Sequence, residues 1–516
     1  MLDLGNSFLA SVARDPEVVA LVDGDVRMTY QQWYRKISSI VAAFDEMGLK
    51  SGDHLITALQ NRWEAATLHW ACQFAGIVIT PANWRAKGDE LDFYIENSDA
   101  RALVFQDVSH DAVRESKLSE GLILIAVDSA SGVPASKSFS DLLAKAAADA
   151  KPRANADSWS VMLYTSGTTS RPKGVPRRHR AERAAGVAHV AQNLYRRHER
   201  TLGVMPLYHT MGVRSLIAMS LIGGTFVCLP RYDTQRALML IKEEKIDNLY
   251  LVPTLYHDLV HSPAFASADI SSVRKIGFAG ASMTDALLKK LNNEFKPELF
   301  VNHYGSSEIY TFTIDQNPVA KPGSAGKAGI NQNIRVLKLA ATSPDDVATV
   351  DEEGEIAAAL ISDEAFEGYW RRPDADAKAL RSGWYFTGDT GFVDKDGDLF
   401  VTGRVDDMII TGGENVSPVE IESCLSLHPA VLEVAVVGLP DEKWGKVVTA
   451  FVKRKTPVSE KDLEHFCQTS GLANFKRPRR FIFVDAIPKS PVGKLLRRLL
   501  VSGEYVPEQT PPSNAA

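Results

Sequence analysis

Short apolar runs alternate with amphipathic helical stretches along most of this chain, and that alternation restricts the fold more than any other feature. Residues 31–47 carry apolar side chains at helical spacing, and Asp53-His54-Leu55-Ile56-Thr57-Ala58-Leu59 follows as a strand candidate. A second helix-like run, 62–75, leads into Gly76-Ile77-Val78-Ile79-Thr80-Pro81. The segments 102–105, 122–127, 248–252 and 275–278 continue the pattern as short apolar strands near helical stretches. Such alternation predicts an α/β fold of several layers with mainly parallel sheets. In such folds ligands gather at the carboxyl ends of strands.

At 516 residues the chain exceeds what one core can organise, so at least two domains are expected. The texture changes after about Arg404. Residues 407–411 read as a strand ending in Gly412-Gly413, Pro418 opens a helix, and 432–438, 446–453 and 481–484 read as further strands. A large N-terminal domain over 1–404, a small α+β C-terminal domain over 405–506 and a disordered Pro/Ser/Asn-rich tail over 507–516 are therefore expected.

The net charge of −6 offers nucleic acid no electrostatic footprint, although the basic clusters 177–180 and 476–480 could hold a small polyanion. Four cysteines (Cys72, Cys228, Cys424, Cys467) without metal spacing suit a reducing compartment. The opening Met-Leu-Asp-Leu-Gly-Asn has no signal-peptide pattern, and no uncharged apolar run is long enough to cross a bilayer. A cytoplasmic enzyme without stable membrane insertion is expected.

The chemistry is concentrated in a few segments. Tyr164-Thr165-Ser166-Gly167-Thr168-Thr169-Ser170-Arg171-Pro172-Lys173-Gly174 packs five hydroxyls beyond the tyrosine, two glycines and two cations behind an apolar strand. Gly167 lets the backbone approach a ligand, turned N–H groups can surround phosphate oxygens, and Lys173 adds a mobile charge. The spacing is not that of the Walker loop. Taken alone, the segment favours a phosphate site only modestly over a polar turn. Asn302-His303-Tyr304-Gly305-Ser306-Ser307-Glu308 adds an aromatic face for a base, hydroxyls for a phosphate and a carboxylate able to hold Mg²⁺. Trp384-Tyr385-Phe386-Thr387-Gly388-Asp389-Thr390-Gly391 sets an acid between two glycines, suited to vicinal ribose hydroxyls. Pro488-Lys489-Ser490-Pro491-Val492-Gly493-Lys494 puts a lysine on a Gly-preceded turn before a basic helix. Singly these are a core tyrosine, a turn aspartate and a solvated lysine; together and in this order they mark a nucleotide site.

With these segments, and with Pro206-Leu207-Tyr208-His209 and 403–415, the chain resembles the adenylate-forming acyl-CoA synthetases from near residue 10 to residue 500. That superfamily also holds luciferases and peptide-synthetase adenylation domains. Within it, 278–283, 405–415 and 475–478 look most like the aryl-CoA ligases of the 4-chlorobenzoate type.

The resemblance implies a two-step reaction: a carboxylate attacks the α-phosphorus of ATP to give an acyl-adenylate and pyrophosphate, then the thiol of coenzyme A displaces AMP. It implies that Thr165, Ser166, Gly167, Thr168, Thr169 and Lys173 embrace the β- and γ-phosphates. Gly280, Ala281, Ser282 and Tyr304 would border the nucleotide, with Tyr304 on adenine, Ser307 at the α-phosphate and Glu308 on Mg²⁺. Asp389 would bind the ribose with help from Arg404, and Lys494 would bridge carboxylate and α-phosphate oxygens. The small domain would rotate about Asp406 between half-reactions. Arg85, Trp444, Phe475 and Arg477 would meet the CoA nucleotide, and His209 would gate the thiol tunnel.

Ala188, His209, Thr210, Gly280, His303 and Tyr310 are the nominated acyl-pocket positions. Ser170 and His303 depart from the family pattern, and His303 with Tyr310 and Thr311 suggests a pocket more polar than one built for a halogenated ring. An aromatic or cyclic acid leads. The alternatives are a medium-chain fatty acid, adenylation for an acceptor other than CoA, and a non-catalytic nucleotide-binding protein. Oligomeric state stays open, with dimers frequent among relatives.

Overall fold

The alternating segments build two large sheets and a small one in a computed structural model. It describes residues 2–128, 133, 135–145, 148–165, 172–411, 414–489 and 495–508, with Asp406 and Asn415 described by backbone alone. The first sheet runs Lys137–Ser138, Ile123–Ala126, Ala100–Phe105, His54–Ala58, Val78–Pro81, Trp159–Thr165, Lys173–Arg178, parallel until the final antiparallel pair. The second has a parallel centre of Val19–Asp23, Thr225–Cys228, Arg200–Gly203, Asn248–Leu251, Lys275–Ala279 and Leu299–Tyr304. From Leu299–Tyr304 it continues antiparallel through Thr313–Asp315, Ser324–Ala328, Leu399–Arg404, Trp384–Val393, Gly354–Ala359 and Ile334–Lys338. The α/β expectation is met, and the antiparallel flank makes the sheets mixed.

The helix Tyr30–Glu46 starts at a capping box between Thr29 and Gln32 and buries Trp33, Ile37, Ile40 and Phe44 along one stripe. The helices Trp63–Ala75 and Thr210–Leu221 are buried on nearly every face, as core helices between layers must be. Thr210–Leu221 nevertheless carries a charged residue, Arg214, only 2% exposed.

The C-terminal unit has its own sheet, in which Gly445–Arg454 pairs antiparallel with Val431–Asp441 and parallel with Arg480–Phe483. The strand expected from residue 407 begins only at Ile409, because Val405–Asp407 is a 3₁₀ turn. The tail expected from 507 starts with two docked residues. Pro507 bridges to Val484, and Glu508 donates its N–H to the Phe483 carbonyl while pairing with Arg454 at 2.7 Å. Residues 509–516 lie outside the described residues.

Ion pairing engages the arginines of the first basic cluster and part of the second, where Arg477 donates to the Leu472 carbonyl and Arg479 stacks on Trp444 instead. Arg177 is buried against Glu182 at 2.7 Å, while Arg178 and Arg180 share Glu367 at 2.5 and 2.6 Å. Lys476 meets Glu420 at 2.7 Å, and Arg480 meets Asp441 at 3.0 Å. Cations already matched by carboxylates have little left for a free anion.

Candidate active site

The glycine- and hydroxyl-rich segment joins two antiparallel strands whose register pairs Thr165 with Lys173 and Tyr164 with Gly174. Ser166, Gly167, Thr168, Thr169 and Ser170 lie outside the described residues. Lys173 is half-buried, and its Nζ stands 4.1 Å from the centre of the Tyr369 ring. Burial pushes its pKa down, against the pull of nearby Glu308. Loss of solvent weakens an ammonium's hold on its proton, so a polyanion that neutralises Lys173 is favoured.

Glu308 is buried, and its Oε1 accepts a 2.6 Å hydrogen bond from the Tyr369 hydroxyl. Arg177 holds the turn that presents it. The guanidinium donates to the carbonyls of Glu308 at 2.9 Å and Glu364 at 2.6 Å, lacing the 304–309 turn to the segment that carries Tyr369. The Ser306 hydroxyl caps the same turn by accepting from the N–H groups of Glu308 and Ile309.

Neighbouring Tyr304 donates to Asp389 at 2.6 Å, and Arg404 pairs with the other oxygen of Asp389 at 3.1 Å. Burial, and then the adjacent Asp389 charge, push the Tyr304 hydroxyl pKa up, so it stays protonated and donating. Gly388 turns at φ 73° just before Asp389, and a Cβ there would sit 3.0 Å from the Arg404 guanidinium. Glycine is needed both for that backbone and for the cation's approach. Tyr385 joins the two halves: its hydroxyl is 3.5 Å from that of Tyr369, and Phe312 packs between its ring and that of Tyr304.

Gly280 ends the strand Lys275–Ala279 at φ 85°, leaving Ala281 and Ser282 exposed at the carboxyl edge of the sheet. Ser307 is half-buried beside Glu308. On the acyl side, His209 caps the helix Thr210–Leu221 through Nδ1, which accepts from the Met211 N–H at 3.3 Å, and Thr210 is buried. Ala188 is buried in the helix His179–Gln192. His303 is buried against Asn193 at 3.1–3.2 Å and between the rings of His189 and Tyr250. Burial, then Arg214, hold its pKa well below the ordinary value, so it is neutral. Tyr310 is buried with Arg177 4.0 Å from its ring centre.

The residues expected around CoA are tied locally. Arg85 is exposed and stacks 3.7 Å over Trp84, Trp444 carries Arg479 at 4.3 Å, Phe475 is exposed, and Arg477 donates to the Leu472 carbonyl at 3.0 Å. Lys494 lies outside the described residues, as does the side chain of Asp406. Both ends of the Lys494 segment are placed: Lys489 bridges to Leu495 and pairs with Glu433 at 2.5 Å, while Arg497 binds Glu422 at 2.7 Å.

Sequence reasoning passed over Tyr369, Arg214 and Glu364, and placed Arg177 in a basic cluster rather than behind Glu308. They sit far from the motifs they touch, and only Gly368-Tyr369-Trp370 offered a local signal, an aromatic pair after a glycine. Glu308 suits Mg²⁺, which is typically held by one or two carboxylates together with substrate phosphates. Among the described residues the other acidic cluster, Asp394, Asp396 and Asp398, is filled by Lys321, whose Nζ lies 2.6–2.8 Å from all three.

Family comparison agrees with this geometry. The model for the AMP-binding enzymes matches residues 8–370, and that for the AMP-binding enzyme C-terminal domain matches 420–494. The 4-chlorobenzoate–CoA ligase of Arthrobacter sp. is 32% identical over 508 residues, covering 95% of this chain and 93% of that one. The long-chain-fatty-acid–CoA ligase FadD13 of Mycobacterium tuberculosis is also 32% identical, over 486 residues, covering 92% and 93%. The solved structure of the Bacillus subtilis o-succinylbenzoate CoA synthetase with its acyl-adenylate intermediate superposes with a TM-score of 0.83 at 27% identity, covering 97% of this chain and 98% of that one.

Proposed function

The chain belongs to the AMP-binding enzymes and is an ATP-dependent, AMP-forming acid–CoA ligase working through an acyl-adenylate; from that premise we propose that its acid is aromatic or cyclic and that the residues above divide the work as follows. Asp389 and Arg404 grip the ribose, and Tyr304 frames the adenine while its hydroxyl orients Asp389. Thr165 to Lys173 take the β- and γ-phosphates, with Ser307 at the α-phosphate. Glu308 would hold Mg²⁺, which would supply charge neutralisation on the phosphates. Lys494 stabilises charge on the pentavalent α-phosphorus, where a positioned cation does more than an acid–base pair.

The small domain, 405–506, turns about Asp406 after adenylation, withdrawing Lys494 and bringing Trp444, Phe475 and Arg477 toward a CoA that also meets Arg85. His209 gates the thiol's approach. The protein works in the cytoplasm, and a homodimer is compatible with this reading; among the described residues no helix is long and apolar enough to cross a membrane.

One observation carries the assignment. Lys173, Glu308 and Tyr369 on one side, and Tyr304, Asp389 and Arg404 on the other, are linked through Tyr385 and Phe312 into one edge that carries both cations and acceptors for a nucleotide. A cyclic acid is favoured by the rings of Tyr250, His303 and Tyr310 and by the 4-chlorobenzoate relative. The equally similar fatty-acid relative favours a second reading, a chain acid. The test is AMP and pyrophosphate release with and without CoA on benzoates, phenylacetate, cyclohexanecarboxylate and medium-chain acids. Turnover of ring acids only with CoA present is expected. Exclusive use of chain acids, or pyrophosphate release followed by transfer to another acceptor, would displace the reading.

A further inference from the structure

The floor beneath the nominated acyl pocket is polar to a degree that packing alone does not require. Arg214 sits one helical turn beyond Thr210 on a helix otherwise buried among apolar side chains. One turn places it about 5–6 Å along the helix axis from Thr210, the neighbour of the gate residue His209. Its guanidinium is held rigidly: Nη1 donates to the Tyr310 carbonyl at 3.1 Å and to the Thr311 hydroxyl at 2.7 Å, and Nη2 donates to the Tyr250 hydroxyl. Its Nε–H has no hydrogen-bond partner among the described residues. The same is true of His189 Nε2 and His303 Nδ1, both in side chains at most 2% exposed.

Buried polar atoms nearly always find a partner, so several unmatched ones in one place indicate that something with complementary atoms belongs there. Their chemistry is specific. Arginine offers five donors and no acceptor. Its protein partners are neutral, and the carboxylate that shares its surroundings, Glu364, is raised to about 7 by burial, with Arg214, Arg177, the Thr311 N–H and Gln332 pulling the other way. The two imidazoles are neutral, since burial and Arg214 both disfavour their protonation. A neutral imidazole contributes one donor and one acceptor. What Arg214 Nε lacks, then, is an acceptor oxygen.

We propose that Arg214 closes the acyl pocket as a specificity-determining residue, and that the acid carries a hydrogen-bond-accepting oxygen, keto or carboxylate, at the end remote from the carboxylate that is adenylated. The subsite rests on the ligase reading above and narrows it from ring or chain acids to their oxo or dicarboxylic members. His189, His303 and Glu364 supply the remaining donors and acceptors, and Tyr250 and Thr311 fix the fork.

The test uses two matched sets: 4-ethylbenzoate, 4-acetylbenzoate and terephthalate; and octanoate, 7-oxooctanoate and octanedioate. CoA-dependent AMP release is measured for each with the full-length protein. In at least one set the oxygen-bearing acid is expected to exceed its hydrocarbon partner in kcat/KM by on the order of 10-fold or more, because a site built around polar groups rejects the analogue that leaves them unmatched. Arg214→Met should bring that ratio to about one, and Arg214→Lys should keep part of it. A merely structural arginine would lower every acid in proportion and leave the ratio standing, which overturns the proposal. If Arg214→Met does not fold, as judged by thermal melting, Tyr250→Phe loosens the fork and should still reduce the ratio; an unchanged ratio there counts against it equally. Better turnover of the acetyl acid than of the diacid identifies a neutral carbonyl, and the reverse order an anion. Wild-type preference for the hydrocarbon members sinks the subsite while leaving the ligase intact, whereas no AMP from any acid sinks both.

Discussion

The nucleotide edge and the acyl floor lie on either side of the 304–311 turn, yet they handle polarity in opposite ways. At the nucleotide edge each charged group already has a protein partner: Tyr304 on Asp389, Arg404 on Asp389, Tyr369 on Glu308, and the Tyr369 ring under Lys173. A ligand there trades places with protein groups that already satisfy one another. At the floor, Arg214, His189 and His303 are sealed from solvent with donor or acceptor sites unmatched among the described residues. The first arrangement suits a substrate that binds and leaves on every turnover in one chemical form. The second selects among acids, since leaving a buried polar group unmatched costs about 1–3 kcal/mol.

If that contrast is right, the largest effect belongs to Lys494, the cation proposed to serve adenylation. Lys494→Ala should slow adenylation, read as acid-dependent pyrophosphate release, on the order of 10²–10³-fold, the scale of losing one preorganised electrostatic contact. CoA transfer from a supplied acyl-adenylate should change far less. Equal loss in both half-reactions would mean that the lysine supports the fold rather than the phosphorus, and the edge would be complete without it.

A smaller effect is expected at Asp389. Asn in its place keeps the shape and removes the charge that Tyr304 and Arg404 are arranged around. A charge-assisted hydrogen bond contributes about 1.5–3 kcal/mol, so KM for ATP should rise on the order of 10- to 100-fold with the ranking of acids unaltered. A changed acid ranking would show the two regions to be coupled, and would break the comparison.

This division also explains what the sequence disclosed. The nucleotide edge was legible, Tyr369 apart, because its groups sit in short segments whose local chemistry is distinctive. Examples are Gly388 beside Asp389, the Tyr304-to-Glu308 turn, and the strand that delivers Thr165. The parallel centres of both sheets were legible for the same reason, since strands such as His54–Ala58 and Lys275–Ala279 are apolar runs bounded by helical patterns. The floor was not. Arg214 lies in a buried helix, Glu364 in an irregular segment and His189 in another helix, and they meet only through tertiary packing over separations that no local pattern encodes. Arg177 taught the same lesson in reverse: a basic run that looked like a surface patch turned inward, because Glu182 and the carbonyls of Glu308 and Glu364 were waiting for it.

The smallest and most discriminating effect concerns Glu364. Burial lifts its pKa from the ordinary 4.5 to about 7, against the pull of Arg214 and Arg177. Between those values the folded protein keeps a proton that the unfolded chain has released. The sign follows: the folded state binds more protons in this window, so stability is fully present below about pH 4.5 and declines as pH rises toward 7. The decline approaches about 1.4 kcal/mol per pH unit where the two states differ by a whole proton. Glu364→Gln abolishes that component, so the difference in unfolding free energy between wild type and variant should shift toward the variant across pH 5 to 7, with contributions from all other groups cancelling. Parallel pH profiles would mean that Arg214 keeps Glu364 ionised throughout. The floor would then be an internally matched ion pair no different in kind from the nucleotide edge, and its claim to choose the acid would rest on Arg214 Nε and the two histidines alone.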